Sequence, residues 1–473
     1  MTTTTRNRKA TAGHRRPPGA CMTPPEPRPP AGRPAGGQSS RPRPRLVTRS
    51  LLLVFSADLG ASASFYLLLS VVPLYAQLSG AGGGAAGLVT GALMLGTVAG
   101  ELATPRLAAR YGDRLVLAAG LLLVGAPSLA LTATTGMATI AGVCLARGLG
   151  FGITMVEVGA LSVSLIPPER RGEGLGLTGV VAGVPAVAAL PLGVWLAARV
   201  GYQLVFAAAA VAALGALVAV PGLPGRRPAR RVQPPRGRRS VPGQPAPGQP
   251  ADVVAGLRHA ALLRPAAVFM ATTMAAGVVV TFLPLAVSPA SGSLAAMALL
   301  AQPVASTLTR WLAGRHGDRH GQAGLLIAGL LAAAAGVLAL ALTSSPMAVI
   351  GGAVLFGAGF GVTQNVSLAL MYARAPASAY GAVTALWSVA YDGGMGLGAA
   401  GFGVLAAGAG YPAAFAISAA LMLPAVAPAG RDRRDSRAPS ASRAGHIRRL
   451  LPSRRSAASR AVRRGDHLAA SGS

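Results

Sequence analysis

Long apolar segments alternate with short polar loops along most of the chain. A membrane-spanning helix needs about 20 mainly apolar residues, and twelve segments of this kind can be counted. Their predicted ranges are 51–76, 84–104, 115–135, 137–161, 174–198, 202–222, 265–287, 292–313, 322–343, 346–371, 379–405 and 410–429. Segment length and Ala, Leu and Gly content favour helices over the alternating strands, each of about ten residues, that a transmembrane barrel requires. We therefore predict an all-α integral membrane protein with 12 transmembrane helices.

Charge divides the chain into five parts. The formal net charge is +30, and almost all of it lies in three segments rich in Pro, Gly and Ser. Such segments bury too little apolar surface to fold. The predicted order is a disordered basic tail (1–49), a six-helix bundle (50–222), a basic linker (223–262), a second six-helix bundle (263–430) and another disordered basic tail (431–473). A nucleic-acid site needs a folded basic face with aromatic or base-reading groups, so no nucleic-acid partner is expected.

Arginine also predicts the orientation in the membrane. The loops that follow even-numbered segments carry arginines, whereas the opposite loops together hold one, near Arg199. Cytoplasmic loops of membrane proteins carry an excess of Lys and Arg. We therefore expect a multi-pass protein of the plasma membrane with both termini and the linker in the cytoplasm.

The two six-helix blocks repeat one another. The pentapeptide R-Y-G-D-R from Arg110 to Arg114 recurs as R-H-G-D-R from Arg315 to Arg319, at an offset of 205. Four further landmarks recur at an offset of 209, namely Phe151-Gly152 with Phe360-Gly361, Gly172 with Gly381, Gly201-Tyr202 with Gly410-Tyr411, and Phe206 with Phe415. Two such pseudo-repeats predict halves related by an axis along the membrane normal, with substrate binding between them near the midplane.

This organisation resembles the major facilitator superfamily of secondary transporters. The most specific match is P-R-L-A-A-R-Y-G-D-R after the second segment and R-W-L-A-G-R-H-G-D-R after the eighth, although Ala109 and Gly314 replace the Asp of the family pattern. The resemblance implies that these loops gate the inward and outward arrangements through ion pairs. The predicted gating residues are Arg110, Gly112, Asp113, Arg114, Arg315, Gly317, Asp318 and Arg319. The alternative is that these loops carry only topological charge.

Two further segments carry the resemblance. Leu145 to Gly152 in the fourth segment is similar to an arginine motif of the family, with a shortened spacing. The Gly- and Pro-rich fifth segment partly matches the family's antiporter motif, but Val184 interrupts the Gly-Pro pair. This partial match implies an efflux-type transporter, whereas generic helix packing in a Gly-rich chain explains it equally well.

Ionisable residues inside the membrane are costly and are therefore functional candidates. An apolar setting favours the protonated form of a carboxyl group, so Asp58, Glu157 and Asp392 are candidate proton carriers. Glu101 is a weaker candidate because we expect it to reach water or an arginine at the end of its helix. Arg147 is expected to modulate one of these acids or to bind an anionic substrate group. The alternative role for each is a buried ion pair that fixes helix packing.

Polar and aromatic residues of the tenth and eleventh segments are the remaining binding candidates. Gln364 and Asn365 can contact substrate or bond between helices, and Trp387 and Tyr391, four residues apart, share a helix face. Packing is an equally good explanation for the two aromatic residues.

Together these features predict proton-coupled efflux of drugs or metabolites by alternating access. The alternative is a proton-coupled importer of a sugar or other nutrient. All six histidines lie in tails or loops without metal-ligand or catalytic spacing, and there is no Gly-loop–Lys signature for ATP. We therefore expect no enzyme activity, metal or cofactor. The expected partners are a small-molecule substrate, protons and the lipid bilayer, and the expected state is a monomer.

Overall fold

Helices make up nearly all of the chain that the structure describes. A computed structural model describes residues 47–78, 84–167, 170–223, 260–287, 292–320, 322–375 and 379–437 of the 473 residues. No strand occurs within these ranges. The predicted basic linker and most of both basic tails lie outside them, and their disorder stays a prediction.

The N-terminal half contains seven helices. They are α1 (Arg49–Leu69), α2 (Val71–Leu78), α3 (Ala85–Tyr111), α4 (Asp113–Ala130), α5 (Met137–Leu165), α6 (Arg171–Val200) and α7 (Tyr202–Gly215), followed by a 3₁₀ segment (Ala216–Gly222). Helices α1 and α2 together form the first membrane span. Thr48 caps α1, since its hydroxyl accepts a hydrogen bond from the backbone amide of Leu51.

The C-terminal half contains six further helices. They are α8 (Ala260–Ala286), α9 (Gly292–His320), α10 (Ala323–Ala339), α11 (Pro346–Ala373), α12 (Tyr380–Met422) and α13 (Val426–Arg437), with a short 3₁₀ segment (Leu423–Ala425) before α13. Nine helices in the described residues are long and apolar enough to cross a membrane. One of the nine, Tyr380–Arg434, contains two predicted spans, because Gly410 interrupts the helical backbone with a φ of 75°. The remaining two predicted spans correspond to α9, which is less apolar, and to the short α10.

The duplication predicted from the sequence recurs in backbone geometry. Gly201 and Gly410 both have positive φ, 85° and 75°, and each turns the chain from one long helix into the next. Phe206 and Phe415, which follow them, are fully buried. The left-handed region is costly for residues other than glycine, so both turns depend on the repeated Gly.

The second copy of the loop motif differs from the prediction. Gly112, with a φ of 84°, separates α3 from α4, whereas Gly317 is helical and α9 continues through His320. Equivalent helix contacts in the two halves are 209 residues apart, whereas the two copies of the loop motif are 205 residues apart. The second copy therefore lies four residues, about one turn of helix, before the position that is equivalent to the Gly112 loop. The residue equivalent to Gly112 is Gly321, which lies outside the described residues, as do the side chains of Asp318 and Arg319.

The two halves meet along two helix pairs, α3 with α12 and α9 with α6. We call the side where α1 begins and α3 ends the terminal side, and the other the opposite side. Near the opposite side, the hydroxyl groups of Thr90 and Thr281 form a hydrogen bond of 3.0 Å. Ser70 donates a hydrogen bond to the carbonyl of Val280 (2.7 Å) on the same side. The halves are therefore joined towards the opposite side.

The last helix extends beyond the predicted start of the C-terminal tail. Helix α13 runs to Arg437 and packs against α8 and α10. Asp432 is buried and its carboxylate pairs with Arg374 (3.1 Å) and Arg264 (3.7 Å). These ion pairs attach the first part of the predicted tail to the C-terminal half, so the boundary at residue 431 is too early.

Candidate functional site

A cavity of about 380 Å³ lies between the two halves, from mid-membrane towards the terminal side. Helices α1, α3, α5 and α6 line it from one half, and α8, α9, α11 and α12 from the other. The α6 wall is formed by small or apolar residues such as Gly179 and Gly183. The α9 wall is polar and carries Gln302, Ser306 and Arg310. Helix α6 of the N-terminal half therefore gives the cavity an apolar wall, and helix α9 of the C-terminal half gives it a polar one.

Glu101 and Asp392 meet across the interface between the halves. Glu101 lies on α3 and Asp392 on α12, both line the cavity, and their carboxyl groups are within hydrogen-bonding contact. Asp392 is only 8% exposed. Two ionised carboxylates in contact repel each other, so this arrangement favours a shared proton. Glu101 is half-buried and its side chain lines the cavity beside Asp392. The expectation that it reaches water stays a prediction.

Tyrosine and arginine side chains surround the carboxyl pair. The phenol groups of Tyr66 and Tyr391 interact electrostatically with Asp392, and Arg310 interacts in the same way with Tyr391. Arg310 lies within α9, whereas the sequence indicated it only as the first residue of the motif that follows the eighth segment. The missed signal is the polar spacing of Gln302, Ser306 and Arg310, which places all three on one helix face.

Aromatic side chains form a wall on the C-terminal half. Trp387 stacks on Phe269 with ring centroids 4.6 Å apart and planes 12° apart, and Tyr391 lies 5.8 Å from Trp387. The indole N–H of Trp387 donates a hydrogen bond to the hydroxyl of Ser367 (3.2 Å), which fixes the ring. Trp387, Tyr391 and Gln364 line the cavity. Asn365 instead lies close to Gly314 of α9.

Arg147 is placed inside the N-terminal half, away from the cavity lining. It is 1% exposed, and its guanidinium donates to the carbonyl oxygens of Val124 (3.2 Å) and Ser64 (2.8 Å). These bonds join α5 to α4 and α1. The geometry therefore favours a packing role over the predicted contact with substrate.

Asp58 and Glu157 are also buried without lining the cavity, each 2% exposed. Asp58 accepts a hydrogen bond from Ser62 (3.2 Å), and Glu157 has Asp113 as a charged neighbour. The structure thus brings together two of the four predicted acids, Glu101 and Asp392, and separates the other two from them.

The predicted gating residues make local contacts. Arg114 donates a hydrogen bond to the carbonyl of Leu223, at the end of the same half. Arg110 lies over the ring of Tyr111 (5.3 Å), and Arg315 lies over the ring of Trp311 (4.7 Å). Asp113 occupies the first turn of α4, where a negative charge interacts well with the helix dipole.

Comparison with solved structures identifies the same architecture in known transporters. The nucleoside transporter NupG is 13% identical with a TM-score of 0.62, over 83% of this chain and 100% of that one. A peptide transporter POT in complex with sulfate is 16% identical with a TM-score of 0.61, over 82% and 95%. A POT family transporter in complex with 5-aminolevulinic acid is 12% identical with a TM-score of 0.62, over 80% and 94%. At these identities the similarity concerns the fold.

No curated protein sequence matches this chain significantly. The family model of the Major Facilitator Superfamily matches residues 54–290 and 266–468. These two matches, one on each half, cover most of the 473 residues. The chain belongs to the major facilitator superfamily.

Proposed function

We propose that the protein is a proton-coupled secondary transporter that moves a small molecule by alternating access across the plasma membrane. The carboxyl pair of Glu101 and Asp392 carries this proposal, since it lies at the cavity and bridges the two halves. Loss of the shared proton places two negative charges in contact. At about 4 Å and an effective dielectric constant of about 20, their repulsion is on the order of 4 kcal/mol. Protonation therefore favours the arrangement in which α3 and α12 are packed, and deprotonation favours their separation.

Export of drugs or metabolites is the first direction that we propose. The Gly- and Pro-rich α6 supports it, because this helix partly matches the antiporter motif and forms an apolar wall of the cavity. The cavity volume is near the lower end of the range for small-molecule sites, which is about 300 to 1,000 Å³.

Uptake of a polar nutrient is the second direction. The polar α9 wall, with Gln302, Ser306 and Arg310, favours it because hydrogen-bonding groups in a cavity select polar substrates. Transport in inside-out and right-side-out vesicles separates the two directions.

Proton coupling is tested in proteoliposomes with an imposed pH gradient. The probe is a compound identified by a susceptibility screen on cells that express the chain. We expect Glu101→Gln and Asp392→Asn to abolish gradient-driven accumulation while exchange of labelled for unlabelled compound continues. Glu157→Gln is the matched control, because it also removes a buried acid but one that does not line the cavity. Flux that is independent of the gradient in the unmodified protein would refute the coupling.

The proposed orientation places the terminal side, with both chain ends, in the cytoplasm. Cysteine replaces Ala133 on the opposite side or Tyr111 on the terminal side, both exposed, in a Cys21→Ser, Cys144→Ala background. We expect a membrane-impermeant maleimide to label intact cells at position 133 only. Labelling at position 111 alone would reverse the orientation.

A further inference from the structure

Helix packing fixes which residues of the two halves are equivalent. Gly148 of α5 packs directly against the carbonyl of Leu93 on α3, and Gly357 of α11 packs in the same way against the carbonyl of Gln302 on α9. Both the glycines and their partners are 209 residues apart. One helical turn further, the same contact recurs between Gly152 and Thr97 and between Gly361 and Ser306. Helices α3 and α9 are therefore equivalent at an offset of 209.

This equivalence relates two charged positions of opposite sign. Glu101 lies four residues after Thr97, and Arg310 lies four residues after Ser306. The positive-φ glycines Gly201 and Gly410 relate α6 to α12 at the same offset. Asp392 lies eighteen residues before Gly410, and the residue eighteen before Gly201 is a glycine, Gly183.

The carboxylate of Asp392 thus has no counterpart in the equivalent pair of helices. Glu101 faces Asp392 between α3 and α12, while the equivalent pair of helices, α9 and α6, carries Arg310 and Gly183. A β-carbon at Gly183 would meet no atom within 4 Å, and the same holds at Gly179, one turn away. Both glycines and Arg310 line the cavity. The space that a side chain at position 183 would occupy is therefore open.

Arg310 is available to a ligand. Among the described residues its guanidinium makes no hydrogen bond or ion pair, and its electrostatic neighbour is the phenol of Tyr391. Arg310 is exposed towards the cavity, and a planar guanidinium binds carboxylate or sulfonate groups through two parallel hydrogen bonds. Trp387 and Tyr391 of the aromatic wall, together with Phe360, which stacks on Phe269 of that wall, line the same cavity.

We propose that Arg310 and the space beside Gly183 form the subsite for an anionic group of the transported molecule, whose apolar body lies against the aromatic wall. The substrate class is an amphipathic organic anion. This inference rests on the proposed transport function. A bound anion adds negative charge near Glu101 and Asp392 and favours their protonated form, so that anion and proton bind to the same state. That linkage favours uptake, the second of the two directions.

The local charge is tested without knowledge of the substrate. Gly183→Cys in the Cys21→Ser, Cys144→Ala background is labelled with an anionic sulfonatoethyl methanethiosulfonate or its cationic trimethylammonium analogue. We expect the ratio of anionic to cationic labelling rates to fall about tenfold or more when Arg310→Gln is added. Arg310→Lys retains the positive charge and should keep the ratio high. An unchanged ratio in Arg310→Gln would overturn the proposal.

Ligand binding is tested with 1-naphthalenesulfonate and uncharged 1-naphthalenemethanol as matched probes. The reporter is Gly179→Cys, which lines the same cavity. We expect the sulfonate to slow its labelling, and the alcohol to have little effect. Because charged hydrogen bonds are strong, Arg310→Gln should weaken the apparent affinity about 10- to 100-fold.

Gly183→Asp supplies the missing carboxylate and should abolish protection by the sulfonate, whereas Gly183→Asn, of the same size, should retain it. Equal protection by both probes, no protection by the sulfonate, or equal behaviour of Asp and Asn would refute the subsite. These measurements need no pH gradient. A failure of proton coupling with intact sulfonate protection would therefore overturn the proposed function alone.

Discussion

Gly87 of α3 packs directly against the backbone carbonyl of Ala399 on α12, at the side of the bundle where the two halves are joined. A β-carbon on residue 87 would overlap the carbonyl oxygen of Ala399, and it would lie only 3.2 Å from the α-carbon of Ala400. The contact belongs to the same helix pair that holds Glu101 against Asp392. Closure near the opposite side therefore depends on a glycine, and this dependence can be tested.

We expect Gly87→Leu to hold α3 and α12 apart and to expose the cavity to the opposite side. The reporter is a cysteine in place of Val89, which is 1% exposed. Its labelling by a membrane-impermeant reagent should become at least about tenfold faster in Gly87→Leu, because close packing tolerates no extra volume without displacement. Gly159→Leu is the matched control, since a β-carbon at Gly159 would meet no atom within 4 Å. Equal labelling in the two variants would show that this contact does not control closure.

The sequence predicted the helices and the duplication because both depend on local patterns. Apolar length identified the spans, and the repeated glycines at 201 and 410 identified equivalent turns. The same reasoning identified Asp392, since an acid at mid-membrane is conspicuous whichever way its helix is rotated.

The partner of Asp392 could not be predicted in this way. The direction in which Glu101 points is set by the rotation of α3 against the other half, which no single helix encodes. Arg310 was missed because it lies near the end of a predicted span, where arginine usually marks a loop. The two copies of the loop motif are 205 residues apart, whereas equivalent helix contacts are 209 residues apart. The motif alone therefore aligns α9 with α3 one turn of helix away from the alignment that the contacts show.

Arg147 and Arg310 should respond to substitution in opposite ways. Arg147 bonds buried carbonyl groups of α1 and α4, so Arg147→Ala leaves Ser64 and Val124 without these donors. Arg147 is also one of the largest fully buried side chains, so the substitution removes two hydrogen bonds and leaves a cavity between three helices. We therefore expect a clear loss of thermal stability in detergent. Arg310→Ala, in the cavity, should change stability little and weaken ligand binding. If Arg147→Ala unfolded at the same temperature as the unmodified protein, its packing role would be wrong.

Asp432 should stabilise the C-terminal half through its two arginine partners. The arginines that remain after removal of Asp432 are partly exposed, 15% for Arg374 and 30% for Arg264, so the cost is that of the lost charged hydrogen bond, about 1.5 to 3 kcal/mol. We therefore expect Asp432→Ala to lower the thermal unfolding temperature and to release α13, detected as faster proteolysis after Val426. Arg431→Ala changes an exposed neighbour and should leave both measurements unchanged. Equal proteolysis of the two variants would contradict the anchoring of α13 by this cluster.

Gly201 and Gly410 should show equal sensitivity to a methyl group, because the assignment of Gly183 as the equivalent of Asp392 depends on their equivalence. Both have positive φ, 85° and 75°. Both also have ψ near 165°, a backbone region that is almost restricted to glycine and costs other residues roughly 1 to 3 kcal/mol. Gly201→Ala and Gly410→Ala should therefore each lower the free energy of unfolding by about that amount. Gly408→Ala is the control, since Gly408 is exposed and helical and has no atom within 4 Å of a β-carbon. Urea unfolding in mixed micelles measures the three variants side by side. A loss confined to one of the two turns would break the equivalence of α6 and α12, and with it the argument that places an anion beside Arg310.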